Sequence, residues 1–107
     1  MSQISKVKLM DSGTALLKAG SREEACQKLK AVLLKYGAAV YEEDERVVLD
    51  FSTLRYWQFI QARLEETSIP GTWAAVLRTG DAPKLPFDLP SKKAVSLTKD
   101  ILKALAE

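Results

Sequence analysis

The chain has 107 residues, 47% of them hydrophobic and 28% charged, with a net charge of +2, which is the composition of one folded domain with its own core rather than of a disordered segment. It contains no histidine and one cysteine, Cys26. That excludes the usual Ser-His-Asp and Cys-His nucleophilic sites, most zinc and iron sites and any internal disulfide, and leaves a carboxylate-only Mg²⁺ site as the metal chemistry still open.

Charge is segregated along the chain: residues 1–36 carry +4, residues 37–67 carry −4 and residues 68–107 carry +2. No apolar run is long enough to cross a bilayer, and "MSQISKVKLM" lacks the apolar core of a signal peptide. With a lone cysteine, these features predict a cytoplasmic chain with no membrane partner.

In chain order, "ISKVKLM" alternates, with Val7 and Leu9 opposite Lys6 and Lys8, and predicts a half-buried strand over 4–10. "DSGTALLKAG" reads as a short helical turn that stops at Gly20. "SREEACQKLKAVLLKYG" opens on a capping box, Ser21 with Glu24, and places Ala25, Leu29, Val32, Leu33 and Tyr36 on one helical stripe, with Gly37 as a left-handed terminator. "AAVYEEDERVVLDF" predicts a hairpin around the acidic run 42–45, with a loop longer than two residues because neither Gly nor Asn is present. Ser52 then reads as the cap of a helix, "STLRYWQFIQARLEET", with Leu54, Trp57, Ile60, Gln61 and Leu64 on one side. "TWAAVLRTG" reads as a central strand.

Residues 81–90, "DAPKLPFDLP", set Pro83, Pro86 and Pro90 among Leu85, Phe87 and Leu89. Proline denies both helix and sheet ladder, so this is a strap between elements, expected to be extended and pinned to its own domain by those apolar side chains. Ser91 caps a last amphipathic helix over 91–106 that carries Ala94, Val95, Thr98, Ile101, Leu102 and Leu105.

The order predicts an α+β fold: a single domain over 1–107, made of a ferredoxin-like βαββαβ two-layer sandwich over 4–80, the Pro-rich strap over 81–90 and an added C-terminal helix. That helix is expected to cover the sheet face left open by the other two. The expected core is Leu29, Val32, Leu33, Trp57, Ile60, Leu64, Val76, Ile101 and Leu102.

No catalytic, cofactor or metal constellation emerges. The acidic run 42–45 lacks the glycine and distal Glu of a calcium loop and reads as a solvated tip. Cys26, beside Glu23 and Glu24, reads as a small half-buried residue rather than a nucleophile. The expected function is a non-enzymatic protein–protein interaction module (adaptor, regulator or inhibitor) whose partner is another protein or a second copy in a homodimer. Its candidate contacts are Trp73, Leu85, Phe87 and Leu89, apolar groups next to loops. The alternative is weakly selective nucleic-acid binding through Lys6, Lys8, Lys28, Lys30 and Lys35, by backbone contacts without base stacking.

Overall fold

A computed structural model describes residues 10–87, 89 and 91–106. The elements are β1 (Met10–Lys18), α1 (Arg22–Leu33), β2 (Val40–Glu43), β3 (Arg46–Asp50), β4 (Tyr56–Glu66), β5 (Thr72–Pro83) and α2 (Lys93–Ala106). All five strands form one antiparallel sheet in the order β1-β5-β4-β3-β2.

This corrects the ferredoxin-like expectation. Two segments read as helical are strands. In 56–66 the aromatic and β-branched residues Tyr56, Trp57, Phe59 and Ile60 favour extended backbone. Gln58, Ile60, Ala62 and Leu64 then face the helices and are buried. In 10–18, Ala15 and Leu17 alternate into the core. A split βαβ unit needs two helical crossovers, whereas only β1–α1–β2 crosses here, carrying the chain from one sheet edge to the other. The strand expected over 4–10 lies almost wholly outside the described residues, and β1 begins at its last position.

Both helices cover the same face. One core cluster joins Ala25, Leu29 and Leu33 of α1 and Ile101 and Leu105 of α2 to Leu17, Leu49, Ile60, Leu64 and Leu77 of the sheet. The C-terminal helix therefore does not cover the opposite face, and among the described residues no helix does. Trp57 and Val76, expected in the core, are half-buried on that free face. Val32 and Leu102 sit at the core's margin, and Leu29, Leu33, Ile60, Leu64 and Ile101 are buried as expected.

Local chemistry sets the ends. The Ser21 hydroxyl accepts from Glu24 N–H at 3.2 Å, and the Glu24 carboxylate accepts from Gly20 N–H at 3.1 Å, so the capping box is present but its return bond reaches one residue further back. α1 ends at Leu33 with Leu34 as a right-handed cap. Gly37 is not in the left-handed conformation expected of it; its lack of a side chain leaves room for Leu49, which a Cβ would meet at 2.8 Å.

The β2–β3 turn is tighter than expected. Glu43 pairs with Arg46, so only Asp44 and Glu45 turn the chain, and both take left-handed backbone at φ 51° and 63°. That is the two-residue geometry favoured by strand twist, reached without the glycine or asparagine that usually supply it. Near the start of β1, Ser12 is the extra residue of a bulge followed by Gly13 at φ 145°. A Cβ on Gly13 would meet Leu102 of α2 at 2.8 Å, so glycine there lets the last helix close onto the edge strand.

Candidate interaction site

β5 delivers the chain into the strap at the end of the sheet where α2 begins. The strap does not run extended: it turns at Pro86 and Phe87. Its backbone is fastened at both ends. Lys84 N–H donates to the Arg55 carbonyl at 2.7 Å, and the Tyr56 hydroxyl donates to the Leu89 carbonyl at 2.6 Å. The Gln58 amide donates to Ser91 Oγ at 3.0 Å. The Lys84 ammonium also lies 4.2 Å from the centroid of the Trp57 ring.

Behind these contacts is a buried polar cluster that holds the start of α2. The Asp81 carboxylate accepts from Ala94 N–H at 3.3 Å, and Ser91 Oγ accepts from Lys93 N–H at 3.2 Å. Two residues from outside the helix thus supply acceptors to its first turn. Thr98 shares a 2.9 Å hydroxyl contact with Thr79, which also contacts Ser12, so β1, β5 and α2 are joined by a chain of hydroxyls. Burial raises the Asp81 carboxyl above its ordinary range, against the bonds from Ala94, Gln58 and Ser91. Its second oxygen is buried without a hydrogen-bond partner.

The strap's side chains go the other way. Leu85 is 54% exposed, Phe87 90% and Leu89 80%. They do not pin the strap to its domain as expected; polar bonds from β4 and from the loop before it do that, and the apolar groups face solvent. Leu54, in the loop that binds Lys84, is 95% exposed and extends the same apolar end. Sequence reasoning placed Leu54 on a helical stripe. It also missed Tyr56, Gln58 and Asp81, whose partners lie 33, 33 and 13 residues away and leave no local signal. Ser52, read as a helix cap, instead exchanges hydrogen bonds with the Gln58 backbone.

Trp73 does not join this end. It lies near the first residue of β5, half-buried against the core, at the opposite end of the strand. Of the lysines, Lys6 and Lys8 fall outside the described residues. Lys28 donates to the Lys18 carbonyl at 2.6 Å and lies 3.4 Å from Glu24, while Lys30 bonds Glu42 at 2.6 Å. These two ammonium groups are engaged within the domain, and Lys35 lies beyond the end of α1.

A concavity of about 540 Å³ lies between α1 and the β2–β4 end of the sheet, with Val47, Ala62 and Leu64 on its floor and Arg22, Lys30 and Glu42 on its rim. Cys26 opens into it, its thiol 3.5 Å from the Glu42 carboxylate. Burial first, and then the Glu42 charge, push that thiol upward, so it stays protonated at neutral pH and is a poor nucleophile. Hydrogen bonds from Lys30 and then Cys26 hold Glu42 below its usual range. Among the described residues, no group of three or more metal-ligating side chains converges and no helix is long and apolar enough to cross a membrane. No family model matches the chain, and no curated protein or solved structure shows a significant similarity to it.

Proposed function

We propose that this chain is a non-enzymatic protein-interaction module that recognises its partner with the anchored strap. The observation that carries this reading is the division of labour in 84–91: backbone and polar groups bind the domain, and Leu85, Phe87 and Leu89 are left to solvent. Contiguous exposed apolar groups of this size mark binding surfaces on soluble domains. A loop already fixed at both ends loses less entropy when it docks, which favours affinity. Pro83 ends β5 opposite Tyr56, and Pro86, which has no amide hydrogen, adds stiffness and cannot extend that ladder. A reducing compartment such as the cytoplasm suits a lone free cysteine, Cys26. The nucleic-acid alternative has less support, since Lys28 and Lys30 are engaged by neighbouring groups.

The test is capture from the cell of origin with the wild-type chain and with a Leu85→Ser/Phe87→Ser variant. The variant should unfold at the same denaturant midpoint and lose the proteins captured by the wild type. Identical captures by both would refute the strap as the recognition element.

A further inference from the structure

Among the described residues β1 is paired on one side only, with β5. The bond just past its end fixes which backbone groups face outward. Ala19 N–H donates to the Gly71 carbonyl at 2.9 Å, so the backbone of Ala19 points into the sheet, and by alternation so does that of Leu17 and Ala15. The backbone of Thr14, Leu16 and Lys18 then points away from the sheet. The Lys28 ammonium agrees with this phase, since it reaches the Lys18 carbonyl at 2.6 Å. Edges of soluble sheets are usually short, charged or covered. β2, the other edge, has four residues and carries Glu42 and Glu43. β1 has nine, and no charged side chain lies between Gly13 and Lys18. We propose that Thr14–Lys18, with the groove beside them, takes an extended apolar segment of a partner protein as an added strand. This site lies where β1 meets the start of β5, away from the strap that leaves its end, and does not rest on the strap reading.

Three features define the occupant. First, the outward row is the N–H and C=O of Thr14 and Leu16 and the N–H of Lys18. The bulge at Ser12 breaks the row on one side, and Lys28, bound to the Lys18 carbonyl, closes it on the other. That row matches about five extended residues whose amides are intact, and so excludes proline. Second, on the helix face a groove of about 610 Å³ runs beside the strand, walled by Leu17, Ala31, Val32 and Leu105. It calls for an apolar side chain opposite Leu17. Third, alternation turns Leu16 to the other face, where it is 57% exposed and calls for an apolar cross-strand neighbour. Backbone pairing then supplies affinity, and the side chains on either face supply selectivity. The described segments of a second copy do not meet these terms. Its β1 would bring Ala15 and Leu17, which are already buried in their own core. Its β2 would bring Glu42, which Lys30 already binds. Its β3, β4 and β5 are paired on both sides, and its strap has no amide hydrogen at Pro83 or Pro86. A separate protein's strand is the occupant that remains.

The experiment is selection from a displayed library of random linear peptides against the full chain, followed by amide exchange of the chain with and without a selected peptide. Peptides with a proline-free apolar run should be enriched. Binding should slow exchange at Thr14, Leu16 and Lys18 by at least about tenfold, while Ala15 and Leu17, already paired with β5, change far less. A single N-methyl group on a peptide amide that donates to the edge should weaken binding by at least about tenfold, and the same group one residue along should not. Leu16→Lys, at an exposed edge position, and Ala31→Glu, at an exposed position on the groove wall, should each keep the denaturation midpoint and weaken binding by a similar factor. Phe87→Ser should bind the peptide as the wild type does. No enriched peptide, protection away from 14–18, or equal losses at both N-methyl positions overturns the proposal. So does slow exchange at Thr14, Leu16 and Lys18 in the free chain, since the edge would then be filled by the chain itself or by a second copy. The strap reading is tested by capture with the Leu85→Ser/Phe87→Ser variant, so either reading can fail while the other stands.

Discussion

Two runs of this chain carry the same local pattern and meet opposite fates. Ile60, Ala62 and Leu64 alternate along β4 and are buried. Leu85, Phe87 and Leu89 alternate along the strap and face solvent. Apolar content does not separate them, since the strap's three side chains are the larger set. Backbone chemistry does. β4 offers an amide at every position and is paired on both sides, with β3 and with β5. That ladder ends at Pro83, and beyond it Pro86 offers no amide to extend it, so the segment is held by a few polar bonds from Tyr56, Gln58 and the Arg55 carbonyl. Alternation specifies a face, and pairing decides whether that face is covered.

The sharpest way to break this comparison is to truncate one residue from each run. Ile60→Ala is expected to cost about 2–5 kcal/mol in chemical denaturation, as a large-to-small change in a closed core. Phe87→Ser is expected to stay within about 0.5 kcal/mol of wild type, the range of an ordinary surface substitution. A strap variant as costly as the core variant would mean the strap is part of the core.

The next test concerns what holds the strap. Tyr56→Phe deletes the hydroxyl bonded to the Leu89 carbonyl at 2.6 Å and should cost about 0.5–1.5 kcal/mol. The accompanying signature is faster proteolytic nicking or amide exchange within 84–91 and no change in the strands. Uniform loosening of the whole molecule would contradict a local anchor.

A gain of stability is expected at the other end of the sheet. Glu45 takes left-handed backbone at φ 63°, which costs an L-residue roughly 1–2 kcal/mol. Glu45→Gly should recover about 1 kcal/mol as a higher unfolding midpoint, offset in part by the greater freedom of glycine in the unfolded chain. Destabilisation would show that the Glu45 side chain contributes more than its strain costs.

The smallest effect is a pH dependence. The folded state raises the Asp81 carboxyl, chiefly through burial, so it favours the protonated form more than the unfolded chain does. The stability from this group is fully present below the unfolded carboxylate value of about 3.9 and is lost as pH rises through the folded value. In Asp81→Asn that loss should vanish, and the variant should gain on the wild type as pH climbs from about 3 into the neutral range. A constant difference in melting temperature across that range would show that Asp81 does not titrate differently on folding.

The helices were legible because their signals are local. Ser21 with Glu24 marks the start of α1, and the stripes of both helices are continuous in sequence. β4 was not legible because Ile60 and Leu64 are four apart, a spacing that suits one face of a helix and one face of a strand equally. Tyr56, Trp57, Phe59 and Ile60 were the better guide, as bulky side chains that fit a pleated surface. β1 was obscured by Ala15, Leu16, Leu17 and Lys18, good helix formers overridden by pairing with β5. At the site, Leu85, Phe87 and Leu89 were recognisable as a group, but their direction depends on Tyr56 and Gln58, 33 residues from their partners, and no period in the sequence encodes that.

The sheet order also places a clock on folding. β2 to β5 form a meander in which each strand finds its partner next along the chain, but β1 must wait for β5. Lys18 pairs with Thr72, 54 residues later, so at roughly 5–20 residues per second a ribosome exposes the first strand about 3–11 s before its partner exists. Through that interval Ala15 and Leu17 have no β5 to pair beside, and the Ser12–Thr79–Thr98 hydroxyl chain can close only after α2 has been made. β1 is thus made well before its partner and is among the last of the described strands to be placed, and the emerging chain is most exposed to wrong strand pairing just before β5 is completed.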